Sequence, residues 1–443
     1  MGALYLGMLR CLPYIVLSFS LCFSLAQGQG LQSSGGGRVS LEGQRFAGIG
    51  VNYFNAFYRR LLVSTDTSYR EGFRELGKHK IPFARISISG FWPTQNRLFD
   101  QNESLYFAYL DDVVEAAKQN QVGLIFSFFW ADFCIPDQMG EPVSKWGDST
   151  SKTHAYMRRF TSGVVKHYLT DPTVWGWEFG NEYNLHVDFP DPPGYRPPVQ
   201  PTLGTPTART DADNLTTGMI TVAFREFAQE IRKSDTKRLI FTGNSIPRSS
   251  AWHQMHEKNW AQDTRKQFFE AMLAQEPLPL NSLTIHIYTD STGKMEMGDL
   301  FLNENISLSK AIHACDSLAR SLNRPLFFGE FGPKANVSMD AQKTWLGFYL
   351  PAILKDTLPL SAVWVYDFNS QEGSWNITTI NGRGWILEEI AKANLTLTKN
   401  VGRSAGLQKQ RLDRKPDRKN GPAWGPLYNL LGQRSKKAVA FFH

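Results

Sequence analysis

The chain has 443 residues and a formal net charge of +7, with 42% hydrophobic and 13% aromatic residues. That is ample apolar material for a large core, and the length holds one barrel-sized domain or two ordinary ones. The charge is concentrated at one end: residues 401–443 carry ten Lys/Arg against two Asp, which leaves the rest at −1 and gives the main domain no compositional basis for binding nucleic acid.

The first 28 residues read as a secretory signal. Arg10 is their only charge, an apolar run follows, and Ala26-Gln27-Gly28 offers small residues at a cleavage site. A signal anchor is the alternative, and no later stretch is apolar enough to span a bilayer. Residues 29–38 are rich in Gly and Ser and read as a flexible linker. A folded domain is predicted over 39–400, followed by a basic, disordered tail over 401–443.

Within the domain, eight apolar, β-rich runs alternate with helical patterns. The runs are Phe46–Phe54, Phe83–Ser89, Gly123–Trp130, Val174–Glu182, Leu239–Ser245, Leu283–Thr289, Leu326–Phe331 and Ala362–Phe368. Helices are predicted at Ser68–His79, Tyr106–Gln119, Thr153–Leu169, Gly218–Ser234, Thr264–Gln275, Leu308–Leu322, Ala341–Leu354 and Ile386–Ala393. This alternation implies parallel βαβ units, and eight of them close an α/β barrel of the (β/α)8 TIM type. An open doubly wound sheet is the alternative. It would want a Gly-rich phosphate turn after the first run, where the chain has Asn52-Tyr53-Phe54-Asn55.

The loops after the strands are long. The segment from Tyr183 to about Thr217 is Pro-rich and aperiodic, which predicts a semi-rigid cover. Seven of the twelve tryptophans fall in post-strand segments: Trp92, Trp130, Trp146, Trp252, Trp260, Trp375 and Trp385. Half of them are expected as ordinary packing and the rest as platforms for sugar rings, whose C–H faces pack on aromatic surfaces. Trp364, on the eighth run, is the best-fixed platform. Cys134 and Cys315 remain after the signal, and the sequence leaves them open as bridged or free. Six Asn-x-Ser/Thr sequons, at Asn102, Asn214, Asn305, Asn336, Asn376 and Asn394, fit a secreted glycoprotein.

The chemistry gathers at strand ends. Val174-Trp-Gly-Trp-Glu-Phe-Gly-Asn-Glu-Tyr183 starts as a buried strand and finishes with the amide of Asn181 and the carboxylate of Glu182. Pro325-Leu-Phe-Phe-Gly-Glu-Phe-Gly332 places a second carboxylate, Glu330, at the end of the seventh run. In such a barrel the functional groups sit at the C-terminal ends of the strands. Two carboxylates there are what glycoside hydrolysis needs. Arg85 is a cation inside an apolar strand and must be paired. Its partners are Glu178, the active site, or both. His286 and Tyr288 are two residues apart and face one side of the sixth strand. Asn52 and Trp130 join the group from the first and third runs.

Together these residues resemble glycoside hydrolase family 5, the cellulase-type family with catalytic carboxylates on strands four and seven. The resemblance runs from about Val39 to Ala393. Asn181-Glu182 matches the family's acid/base motif and Glu330 its nucleophile. Arg85, His286, Tyr288 and Trp364 match its other active-site positions. The chain departs from the family at the third strand, Phe126-Ser-Phe-Phe-Trp130, where a histidine is usual. It departs again at Tyr183, where many members have proline. The resemblance implies a secreted, monomeric retaining hydrolase of β-1,4-linked glucan or mannan, cleaving internally. No metal or other cofactor is expected, no nucleic-acid partner and no membrane span. The alternatives are a transglycosylase with the same site and a barrel that binds glycan without cleaving it.

Overall fold

The computed structural model describes residues 30–413. Eight parallel strands form a nearly closed barrel: β1 (Gly48–Asn52), β2 (Phe83–Ser87), β3 (Gly123–Phe129), β4 (Val174–Gly180), β5 (Leu239–Phe241), β6 (Leu283–His286), β7 (Leu326–Phe331) and β8 (Leu360–Val363). Their order is β5-β4-β3-β2-β1-β8-β7-β6. Each predicted run overlaps one barrel strand, the eighth only at Ala362 and Val363, and seven of the eight predicted helices are present within a few residues, while the eighth runs well past its predicted end. All strands but β7 stop short of the predicted run, because the last residues leave the ladder to build the rim. Helices cover the outside, so the strands are buried on both faces and read as apolar runs.

An inner layer of Phe83, Ile125, Leu239, Phe241, Phe327 and Leu360 fills the bottom of the barrel. Leu31 and Val39 complete it from outside the strands. This corrects the linker expected at 29–38. Gln32–Gly35, Arg38–Leu41 and Gln44–Phe46 form a three-stranded antiparallel sheet instead. The glycines serve its first turn, with Gly35, Gly36 and Gly37 all at positive φ. Leu31 links the barrel strands at this end: its N–H donates to Trp175 O at 2.8 Å, and its carbonyl accepts from Leu239 N at 2.8 Å.

Side chains join β5 to β6, whose backbones do not pair. Asn281 Oδ1 accepts from Ile240 N at 2.8 Å, and Ser282 Oγ donates to Ile240 O at 2.6 Å. The hydroxyls of Thr242 and Thr284 lie 3.1 Å apart, and Thr242 donates to Glu276 at 2.8 Å. Burial pushes the Glu276 carboxyl up to about 8.

The final helix, Trp385–Asp413, closes the barrel over β1. Asn394 pins it there, accepting from Ile49 N at 2.7 Å and donating to Ile49 O at 2.9 Å. The helix also corrects the expectation of disorder from residue 401, since its backbone continues to Asp413. The rest of the tail and the signal segment lie outside the described residues. Cys134 and Cys315 are buried and unbridged. Cys134 opens a short helix, Cys134–Gln138. Among the described residues no helix is long and apolar enough to cross a membrane.

Candidate active site

The C-terminal ends of the strands surround a cavity of about 490 Å³. Glu182 and Glu330 both line it, with Asn181, Tyr288, Trp130 and Trp364. Local backbone irregularities aim the two carboxyls. On β7, Phe327 packs in the inner layer and Phe328 in the outer core, so strict alternation would turn Glu330 outward. A register shift between Phe328 and Glu330 resets the alternation and brings the carboxyl into the lumen. Gly329 sits at this shift, where a Cβ would come within 2.6 Å of His286 Nε2. On the other side, Glu182 follows β4 in the left-handed region, at φ 52° and ψ 30°. Its N–H donates to Gly243 O at 2.8 Å, which holds this conformation in place.

Arg85 lies fully buried at the centre of the constellation. Nε donates to Glu178 Oε1 at 2.7 Å and Nη1 to Glu330 Oε1 at 2.8 Å. Nη1 also reaches Asn52 Oδ1 at 3.0 Å, and Nη2 reaches Asn181 Oδ1 at 2.9 Å. Both expected partners of Arg85 are therefore occupied at once. The guanidinium carbon is 4.7 Å from the Trp130 ring centroid. Asn52 is fixed in turn by donating to Gly329 O at 2.8 Å. Because Asn181 gives its oxygen to Arg85, its amide N–H groups remain for the cavity.

The pair His286 and Tyr288 divides between the two carboxyls. Tyr288 OH donates to Glu330 Oε2 at 2.7 Å. His286 Nδ1 lies 2.9 Å from Glu182 Oε1 and 3.6 Å from Glu330 Oε1. Burial pushes His286 down to about 3, so its ring is neutral at physiological pH. One ligand atom each from Glu182, His286 and Glu330 lies within 4.8 Å of the others, so the two carboxyl groups face each other closely. Two acids and one neutral imidazole could hold a cation, but Arg85 already supplies positive charge to the group.

Burial raises both carboxyls above the usual range. For Glu330 the Arg85 guanidinium and the Tyr288 hydroxyl oppose that rise with direct hydrogen bonds. Glu182 has no cation in hydrogen-bonding contact. The two carboxyls lie close enough to titrate as a coupled pair.

The aromatic rim is narrower than the sequence implies. Of the seven loop tryptophans only Trp130 and Trp375 line the cavity, beside Trp364. Trp146 is fully buried and donates to Asp132 O at 2.6 Å. Phe54, Phe91, Phe368, Gln371 and Glu296 line the cavity too and were not anticipated. Phe54 stacks on Trp364 with centroids 5.1 Å apart and planes 8° off parallel, and on Trp130 at 5.0 Å. Its position directly past Tyr53 in the first run was the available signal. Trp364 Nε1 donates to Gln371 Oε1 at 2.9 Å.

An eight-stranded barrel with this cavity belongs to a large class of sugar-cleaving enzymes, and comparison with known proteins narrows it. Residues 42–369 match the cellulase family, glycosyl hydrolase family 5. The chain belongs to that family and is a glycoside hydrolase of the cellulase and mannanase type. It is 25% identical over 368 residues to mannan endo-1,4-beta-mannosidase 7 of Arabidopsis thaliana, covering 73% of this chain and 74% of the relative. The endo-1,4-beta-mannanase of Rhizomucor miehei shares the fold at a TM-score of 0.58 and 14% identity, over 84% of this chain and 99% of that one. An endocellulase of Pyrococcus horikoshii, solved with cellotetraose, shares it at 0.55 and 13% identity, over 83% of this chain and 99% of that one.

Proposed function

We propose that this protein is a secreted, monomeric, retaining endo-β-1,4-glycanase acting on mannan, with Glu330 as nucleophile and Glu182 as acid/base. The observation that carries this reading is the approach of the two carboxyls at the ends of β4 and β7. Retaining enzymes hold their carboxyl groups about 5–5.5 Å apart, and inverting enzymes leave room for a water between them. Mannan is preferred over glucan because the Arabidopsis relative is named as a mannosidase.

In this mechanism Glu330 attacks the anomeric carbon and forms a glycosyl-enzyme. Arg85 and Tyr288 keep its oxygens bare and oriented for attack. Glu182 carries the proton and delivers it to the departing glycosidic oxygen. Glycosylation then removes the charge of Glu330, the pKa of Glu182 falls, and its carboxylate takes a proton from the incoming water. Asn181 is in place to bind the sugar 2-hydroxyl, a contact that strengthens in the transition state. Trp364 supplies an apolar face for the same ring.

The test is cleavage of soluble β-1,4-mannan and β-1,4-glucan, followed by NMR of the first-formed products. Product of retained anomeric configuration, formed together with a rapid loss of viscosity, is expected. Inverted product contradicts double displacement, and viscosity that lags far behind reducing-end release contradicts internal cleavage.

A further inference from the structure

Glu182 does not hold its own conformation. At φ 52° and ψ 30° it stands in the left-handed region, where residues other than glycine are uncommon. Its N–H donates to Gly243 O at 2.8 Å, and its carbonyl accepts from Leu185 N at 2.9 Å, which closes the turn Tyr183–Leu185. The turn is then fastened on two sides. Tyr183 OH donates to Phe129 O, at the end of β3, at 2.8 Å. Asn184 faces the segment that follows β5. Its Nδ2 donates to Ser245 O at 2.8 Å, and its Oδ1 accepts from Ser245 N at 3.0 Å. One side-chain amide thus pairs with both peptide groups of one residue. Nδ2 also reaches Gln275 Oε1 at 3.2 Å.

Ser245, the partner of Asn184, is where the contacts of Glu182 come together. Its hydroxyl meets the Glu182 carboxyl. The same hydroxyl lies 3.3 Å from His286 O, and Ile246 N reaches that carbonyl at 3.3 Å. The His286 ring in turn lies 2.9 Å from Glu182 Oε1. This segment is pressed against the end of β4: at Gly243, with φ 77°, a Cβ would lie 1.9 Å from Gly180 O. Asn184 itself is 2% exposed and stands outside the cavity lining. It does not meet a substrate, so its effect on the reaction passes through Glu182. Glu330 takes its hydrogen bonds from Arg85 and Tyr288 instead.

We propose that Asn184 is a positioning residue for the acid step: its two-way pairing with Ser245 sets where the Glu182 carboxyl stands against the glycosidic oxygen. The inference rests on the reading of Glu182 as acid/base. A general acid must come within about 2.6–3.2 Å of the atom it protonates, and a misplacement of about 1 Å costs on the order of 100-fold. Without the amide, both buried peptide groups of Ser245 lose a partner. The turn is then free to move off the segment after β5 and to carry Glu182 with it. Steps in which Glu182 gives or takes a proton slow down, and attack by Glu330 on a sugar with a good leaving group does not.

The test compares two substrates that share a glycone. One is mannohexaose, or cellohexaose if the wild type prefers it. The other is the matching dinitrophenyl β-bioside, whose leaving group departs without a proton. On both, kcat/KM reads the steps up to the glycosyl-enzyme. Asn184→Ala should lose about 30-fold on the hexaose and stay within about threefold of wild type on the aryl glycoside. Azide should raise its kcat on the aryl glycoside several-fold and leave that of the wild type unchanged, because a displaced Glu182 is a poor base towards water. That ratio does not depend on how much of the variant is folded, so a merely structural role would not move it. Equal losses on both substrates, no loss on the hexaose, or a kcat indifferent to azide overturn the proposal. If Asn184→Ala does not fold, Gln275→Met is read by the same two ratios. It keeps the bulk and removes one acceptor of the Asn184 amide, so a loss of about threefold confined to the hexaose supports the proposal, and equal effects on both substrates overturn it. A wild type that cleaves neither substrate overturns the functional reading and the positioning role together.

Discussion

The ends of β4 and β7 carry the same functional group in opposite settings. Glu330 sits in a strand that a register shift has re-aimed, and both of its oxygens accept a hydrogen bond, from Arg85 and from Tyr288. Glu182 lies beyond its strand in a left-handed conformation, and its carboxyl meets neutral groups, the ring of His286 and the Ser245 hydroxyl. The two carboxyls share identity and burial, and it is the donors around them that differ. A fixed cation opposes the rise that burial imposes on a carboxyl, and a neutral donor opposes it less.

The largest expected effect comes from removing the charge at β7. Glu330→Gln should lower turnover by on the order of 10⁴-fold or more on polysaccharide and aryl glycoside alike, since no step proceeds without the nucleophile. Initial rates on the two substrates check this. An aryl-glycoside rate near wild type would break the comparison outright.

Next is the cation that makes the two ends differ. Arg85→Ala leaves Glu178 and Glu330 buried without their partner. Removing one member of a buried ion pair costs about 3–5 kcal/mol, so a melting temperature lower by roughly 5–10 °C is expected. Scanning calorimetry measures it, with activity lost in parallel. A variant as stable as wild type would mean that the carboxyls are neutral in the resting enzyme.

Much of this arrangement was legible in the sequence. The eight strands are continuous apolar runs because helices cover them outside and side chains fill them inside. Arg85 stood out as a charge in such a run, and the parity of His286 and Tyr288 placed both on one face. What was hidden depends on tertiary structure. Gly35-Gly36-Gly37 looked like linker, though the same glycines make a hairpin turn between Gln32–Gly35 and Arg38–Leu41. The final helix outran its apolar pattern because the Leu, Gln, Lys and Arg residues past 400 are good helix formers without needing an apolar stripe. Phe54, Phe91 and Phe368 lie on loops beyond the strands, where no periodicity marks which rings meet.

A third buried carboxyl, away from the cavity, gives the smallest effect and sharpens the rule. The Glu276 carboxyl accepts hydrogen bonds from neutral donors, Thr242 and the Thr284 backbone, while the nearby Arg324 guanidinium donates to the Glu276 backbone carbonyl instead. Burial should therefore leave it protonated at neutral pH. Its folded pKa of about 8 exceeds the unfolded value of 4.5, so the folded state holds a proton that the unfolded chain releases. Stability from this group is complete below the unfolded value and declines as pH rises from there through about 8. Glu276→Gln mimics the protonated form and should flatten that decline, raising the melting temperature at pH 8 by a few degrees while changing little at pH 5. Parallel melting curves across pH for both proteins would show that Glu276 does not titrate in this range.

The division of labour between the two ends is tested most directly by chemical rescue of Glu182→Ala. With an activated aryl β-glycoside the leaving group needs no acid, so the variant should form its glycosyl-enzyme and stall there. Added azide should restore turnover and yield the β-glycosyl azide, with retained configuration, because it enters from the face that Glu182 vacated. The α-glycosyl azide would contradict the account, since it would mean that azide had taken the nucleophile's place and that Glu182, not Glu330, attacks the sugar.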